Sequence, residues 1–217
     1  MCKCAQISAQ TYHIRKQRRF ILKVSSVITE YNPFHNGHKY QLNKLSEETG
    51  CDYKVIIMSG NFVQRGEPAL CPWQYRAAAA LSSGVDLVLQ LPLPYAVSTA
   101  QYFAGGAVAS LAALGTVDSL IFGSECGELA ALRSVAAALD SPELPAALAP
   151  HLQKGLPFAA ARQAAVEAVC PDTGLAALLD KPNNNLAVEY CKAILELGAS
   201  LVPIPLPRQG AVHGQAL

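Results

Sequence analysis

The densest run of chemically useful residues in this 217-residue chain lies between Thr29 and Tyr40, reading TEYNPFHNGHKY. His35 and His38 stand three apart, a spacing that puts both rings on one face of a helix's first turn. Imidazole N–H groups placed there can bond phosphate oxygens and stabilise the charge that develops when a phosphoryl centre is attacked. Gly37, between them, removes a side chain that would block close approach of the phosphates or of adenine. Taken singly, either histidine reads as a helix cap or a surface residue. A metal reading needs a third ligand, and no His-Glu-x-x-His motif or nearby Asp/His cluster supplies one. The strand, Asn-Pro turn, His-x-Gly-His and helix together favour nucleotide phosphate, with the metal ligands, if any, unassigned.

Such a site needs a strand to deliver the turn and a helix to follow it. Phe20 to Glu30 has the β-branched content of a strand, and Asn36 to Thr49 reads as a helix that Gly50 closes. The alternation repeats with a strand at Tyr53 to Ser59, a helix at Trp73 to Ser83, a strand at Val85 to Leu91 and a helix at Ser98 to Leu114. A fourth strand at Ser119 to Phe122 precedes a helix beginning near Gly127. The predicted fold is α/β, a Rossmann-like parallel sheet wrapped by helices. Ligands in such sheets sit beyond the carboxyl ends of the strands, where a helix N-terminus offers N–H groups to phosphate. From about 141 to 180 the strands stop, and Ala-rich, Pro-punctuated pieces predict a helical insertion. Asn185 to Leu197 reads as one more helix, and Leu201 to Leu206 as a last strand that Pro203 and Pro205 place at a sheet edge. Residues 1–20 show no periodicity and read as an N-terminal extension to a domain over 21–217.

Composition narrows the function classes. Seventeen basic and sixteen acidic residues leave a net charge of +1, so no whole surface is built to neutralise DNA or RNA phosphate, and any RNA contact is local. Seven cysteines without a Cys-x-x-Cys pair suggest neither disulfides nor a zinc knuckle, which fits a reducing cytoplasm. The basic start is followed by an apolar run that Lys23, Ser25, Ser26 and Glu30 break too soon for an export signal. Leu87 to Val117 carries no charge, yet Pro92 and Pro94 divide it. It reads as strand, turn and buried helix rather than a membrane span.

Five segments in order, EYNPFHNGH at Glu30 to His38, MSGNFVQRGEPA at Met58 to Ala69, SGVDLVLQLP at Ser83 to Pro92, FGSE at Phe122 to Glu125 and KPNN at Lys181 to Asn184, resemble the bacterial tRNA(Met) cytidine acetate ligase family. That family falls within the His-x-Gly-His nucleotidyltransferase superfamily, which implies that the Rossmann-like sheet is of the nucleotidyltransferase type. The resemblance implies an enzyme that makes acetyl-adenylate from acetate and ATP, then passes the acetyl group to N4 of the wobble cytidine of elongator tRNA(Met). It implies catalytic roles for His35 and His38, magnesium arriving with ATP, and no membrane partner. It implies an ATP-contacting segment of Ile28, Thr29, Glu30, Tyr31, Asn32, Pro33, Phe34, His35, Asn36, Gly37, His38, Lys39, Tyr40 and Gln41, with further contacts at Gly123, Asn183 and Arg208.

Each of the last three has another reading: a tight turn for Gly123, a helix N-cap for Asn183 and an exposed cation for Arg208. Arg65 could meet pyrophosphate or tRNA, or be a solvated arginine; Trp73 and Arg76 also match the family, with helix packing sufficient for the Trp. Pro72, Gln90 and Asn185-Leu186-Ala187 depart from the family's usual residues. The match fades near Gly210-Ala211, so the resemblance also implies a missing C-terminal, tRNA-binding part and impaired acetyl transfer. Two alternatives stand beside the ligase: a small-molecule adenylyltransferase using the same histidines, and a non-catalytic ATP-binding fragment.

Overall fold

The computed structural model describes residues 22–64, 66–171 and 173–207. Five parallel strands, β1 (Val24–Thr29), β2 (Tyr53–Ser59), β3 (Leu87–Leu91), β4 (Ser119–Ser124) and β5 (Val202–Pro207), form one sheet in the order β3-β2-β1-β4-β5. The chain therefore reverses its direction of winding between β1 and β4, where an open α/β sheet leaves a crevice at its carboxyl edge. The β1–β2 register pairs Thr29 with Met58, and the β1–β4 register pairs Val27 with Ile121.

Both faces of the sheet are covered, as the apolar runs of the strands require. Ile28, Ile57, Leu91, Leu120 and Phe122 point to one face and meet α4 (Ala100–Ala113), α5 (Leu129–Leu139) and α8 (Pro182–Glu196). Their neighbours Val27, Ile56, Met58 and Ile121 point to the other, against α1 (Asn36–Thr49) and α2 (Trp73–Ser82). This is the period of two expressed in packing. At the amino edge Asp52, Asp86 and Asp118 accept backbone N–H bonds from Lys23, Lys54 and Val24 at 2.7–2.8 Å. Those bonds occupy strand-end donors that would otherwise need water.

The charge-free segment is strand, turn and helix, as expected, and no helix among the described residues is long and apolar enough to cross a membrane. The turn expected ahead of the helix holds a separate short helix, α3 (Leu93–Ala96), and α4 begins at Ala100 rather than Ser98. Gly106 lets α3 lie against α4: a Cβ there would stand 2.2 Å from the Tyr95 ring. The region expected to be helical between 141 and 180 holds α6 (Leu144–Gln153), α7 (Phe158–Val169) and a 3₁₀ turn at Leu175–Asp180.

The last strand is at the edge, as its prolines suggested. Pro203, Pro205 and Pro207 alternate with Ile204 and Leu206, so the missing N–H groups all face away from β4, where no ladder bond is lost. Two of the boundaries that move bear on the site. β4 runs on through Gly123 and Ser124, and α8 starts at Pro182 rather than Asn185, because Pro at the first helical position has no N–H to lose.

Candidate active site

The histidine turn leaves β1 at the switch point. Tyr31 sits at φ 47° and the Asn32–Pro33 bond is cis, which turns the chain sharply into α1. His35 is the N-cap of that helix: its Nδ1 accepts the Gly37 N–H at 3.1 Å, and His38 Nδ1 accepts the His35 N–H at 3.3 Å. The arrangement is a capping box in which two imidazoles replace the usual hydroxyl and carboxylate. The rings stack with centroids 3.7 Å apart and planes 24° from parallel. A neutral ring whose Nδ1 accepts carries its proton on Nε2, so the cap fixes the tautomer of both histidines as Nε2 donors. The capping and phosphate readings of these residues are thus compatible, and the cap prepares the donors.

Gly37 has a reason beyond ligand approach. A Cβ at that position would stand 2.9 Å from His35 Cε1 and 3.1 Å from its Nδ1; the absent side chain makes room for the imidazole folded over the first turn. His38 is wedged on its inner side by Tyr31 and Phe34, at centroid distances of 4.5 and 5.7 Å.

The remaining residues of the Ile28–Gln41 segment divide by what their side chains do. Ile28 and Tyr31 are buried in the two cores, and burial raises the Tyr31 phenol above its ordinary pKa; either could meet a nucleotide only through backbone. Glu30 and Asn32 are committed to the loop after β2. The Glu30 carboxylate accepts the Gln64 N–H at 2.6 Å and Asn32 Oδ1 accepts the Leu70 N–H at 2.7 Å. Thr29, Phe34 and Gln41 are half-buried, while Pro33, His35, Asn36, Gly37, Lys39 and Tyr40 are exposed around the helix start. The exposed members surround the histidine pair.

Arg76, on α2, is the largest fully buried side chain among the described residues. Its guanidinium donates to the carbonyls of Glu30, Gly60 and Cys71, the last at 3.1 Å. It ties the end of β1, the end of β2 and the entry to α2 together beneath the histidine turn, with burial opposing its charge and Glu30 supporting it. Asn61 completes this latch, its Oδ1 accepting the Trp73 backbone N–H at 2.9 Å, and the Trp73 ring packs against the α1–α2 core. Sequence reasoning noted Arg76 only as a family match; an arginine among alanines gives no local sign that it is buried.

Across the crevice, extending the β1–β4 pairing by two residues sets Gly123 beside Thr29. The loop after it is held by α8. Asn184, 2% exposed, accepts from Ser124 Oγ at 2.7 Å and from the N–H groups of Glu125 and Cys126 at 2.8 and 3.1 Å. In return the Glu125 carboxylate accepts from Asn183 Nδ2 at 2.6 Å and from the N–H groups of Asn183 and Asn184 at 3.2 and 2.7 Å. Burial works to raise the Glu125 pKa, but these bonds outweigh it and leave the carboxyl below its ordinary value. Asn183 is therefore not the N-cap, which is Lys181; a carboxylate from the neighbouring loop caps α8 in its place. Arg65 and Arg208 lie outside the described residues. Among the described residues no group of three or more His, Cys, Asp and Glu side chains is gathered to hold a metal.

Comparison with known proteins agrees with this geometry. The family model HIGH Nucleotidyl Transferase matches residues 22–216. The tRNA(Met) cytidine acetate ligase of Caldanaerobacter subterraneus subsp. tengcongensis is 45% identical over 194 residues, covering 88% of this chain and 48% of its own. That of Clostridium novyi is 41% identical over 193 residues with the same coverage. The crystal structure of Thermotoga maritima TmcAL bound with alpha-thio ATP superposes with a TM-score of 0.83 at 40% identity, over 87% of this chain and 47% of that one. Its apo form gives 0.85 at 40% identity, over 89% and 47%. The chain spans about half the length of the relatives it matches. With a parallel sheet reversed at β1/β4 and a His-x-Gly-His turn capping the helix that follows β1, the chain belongs to the HIGH nucleotidyltransferase family.

Proposed function

We propose that this chain is an ATP-dependent acetate:tRNA ligase, or the adenylate-forming portion of one. In the first step an acetate oxygen attacks the α-phosphorus of ATP, the bond to the bridging oxygen breaks, and pyrophosphate departs with the electron pair. The mixed anhydride gives acetate a good leaving group. In the second step N4 of the wobble cytidine of elongator tRNA(Met) attacks the acetyl carbonyl, AMP leaves, and one amine proton is lost to solvent, giving N4-acetylcytidine.

The observation that carries this reading is the stacked histidine pair at the N-terminus of α1, with both Nδ1 atoms occupied and both N–H donors therefore on Nε2. Fixed donors beside a helix N-terminus suit the charge that builds on the α-phosphate and departing pyrophosphate. His35 and His38 are assigned that role. The exposed residues around the helix start, Gly123 and Asn183 are assigned to the nucleotide, with Arg208 a further candidate for its phosphates. Magnesium would arrive with the triphosphate and assist its departure. Elongator tRNA(Met) and acetate are the partners of this reading, and the cytoplasm is its compartment.

The coverage of only half of each relative favours a second reading, an ATP-binding portion without acetyl transfer. Exchange of labelled pyrophosphate into ATP separates them. Acetate-dependent exchange that disappears in His35→Ala and His38→Ala supports the ligase; ATP binding with no exchange at any acetate concentration refutes it in favour of the second reading. Exchange that ignores acetate and needs another acceptor would point to a small-molecule adenylyltransferase.

A further inference from the structure

A cavity of about 320 Å³ is walled by Gln64, by Ser98, Thr99 and Ala100 at the start of α4, and by Pro182, Asn185 and Leu186 at the start of α8. Gln64 links it to the histidine turn, because its backbone N–H is held by the carboxylate of Glu30 at the end of β1. Its size falls at the lower end of the roughly 300–1,000 Å³ typical of small-molecule sites, far more than an acetate ion fills. None of its lining residues carries a formal charge, so it lacks the cations that a triphosphate or an acetate ion calls for.

What the walls do offer suits a neutral, planar, hydrogen-bonding ring. Pro182 and Leu186 supply apolar surface. Gln64 has a carboxamide that can accept from an exocyclic amine and donate to the adjacent ring nitrogen. Asn185 Oδ1 accepts from Arg162 Nη1 at 3.0 Å, which fixes the orientation of that amide in the wall. The N-cap of α4, Thr99, makes no side-chain capping bond, whereas the first N–H groups of α8 are already taken by Glu125.

We propose that this cavity receives the acceptor base, a cytosine unstacked from a single-stranded loop, with its amine toward the histidine turn. Recognition of splayed single-stranded bases by edge hydrogen bonds and flanking apolar surface is the usual route to sequence-specific RNA contact. The inference rests on the ligase reading and adds the place of the second substrate.

The test uses the 217-residue chain and three probes followed by amide chemical shifts: free cytidine, acetate and ATP. Cytidine at millimolar concentration should shift the amides of Gln64, Thr99, Ala100 and Leu186, and saturating ATP should leave those shifts in place. Thr99→Trp, at an exposed position without a capping bond, should abolish the cytidine shifts while keeping ATP binding. Gln64→Ala, which retains the backbone bond to Glu30, should weaken cytidine at least severalfold. The proposal is overturned if cytidine leaves these amides unmoved, if acetate moves them instead, if ATP displaces cytidine, or if neither variant alters its binding. Acetate-dependent pyrophosphate exchange without cytidine binding would sink this assignment alone; cytidine binding without exchange would sink the ligase reading.

Discussion

Asn184→Ala removes one oxygen that serves three donors. Ser124 Oγ, Glu125 N–H and Cys126 N–H all end on Asn184 Oδ1, in a side chain 2% exposed. The hydroxyl has an alternative, since Ser124 Oγ already lies 3.3 Å from Cys126 Sγ. The two part-buried amides have none in the structure, and a donor left unmade costs about 1–3 kcal/mol where water is kept out. Water entering the vacated space recovers part of that, so the expected loss is about 2–4 kcal/mol, a large share of the ~5–15 kcal/mol that domains possess. For a chain of this length that lowers Tm by about 4–16 °C. Urea unfolding followed by circular dichroism measures it, and titration with ATP should show weakened binding as well, because Gly123 lies on the same short run. A loss below about 0.5 kcal/mol, within the range of ordinary surface substitutions, with ATP affinity intact would refute the view that α8 holds this loop.

Three further perturbations probe the same scaffold. Gly37→Ala puts a Cβ 2.9 Å from the His35 ring and displaces it; pyrophosphate exchange should fall at least tenfold while urea stability changes by about 1 kcal/mol, the scale of a helix cap. Arg76→Met keeps length but strands the carbonyls of Glu30, Gly60 and Cys71; unmade bonds of about 1–3 kcal/mol each, offset by removal of a buried charge, give an expected loss of about 2–4 kcal/mol by urea unfolding. Glu125 has a folded pKa held below the ordinary 4.5, so its stabilisation is present above that value and drains away as pH falls through the lower folded value. Urea midpoints of Glu125→Gln should lack that acid limb, and identical profiles would show that the carboxylate does not cap α8.

The strand and helix sequence was legible because apolar period and turn residues are local signals. Ile56 and Ile57, read as a doubly covered run, face opposite cores, and the prolines of β5 correctly announced an edge. The histidine pair was legible for the same reason, its spacing being a property of one helical turn. The latch beneath it was not. Arg76 and Glu30 are charged residues whose type argues for solvent, and only the meeting of β1, β2 and α2 reveals that one is buried and the other bonded to a loop. Asn183 misled as a cap because Pro-Asn-Asn before an apolar run fits the N-cap pattern, whereas the cap came from Glu125, 58 positions away. The turn at Pro92 and Pro94 was legible, but not the short helix α3 within it, because its packing on α4 depends on the room that Gly106 leaves for the Tyr95 ring, and hydropathy does not record that contact.

Among the described residues, Glu30, Asn32, Asn61, Arg76, Glu125 and Asn184 pin the histidine turn and the Gly123 run to neighbouring strands, loops and helices. A site assembled this way draws its geometry from the half of the relatives that this chain matches, so nucleotide binding should not depend on the other half. ATP at about 100 times its Kd should then stabilise the chain by about 2.7 kcal/mol, which raises Tm by about 5–11 °C at this length. His35→Ala together with His38→Ala should remove most of that increment. A cooperatively unfolding chain whose Tm does not move with ATP at any concentration would show that the pins hold a scaffold without a working nucleotide site.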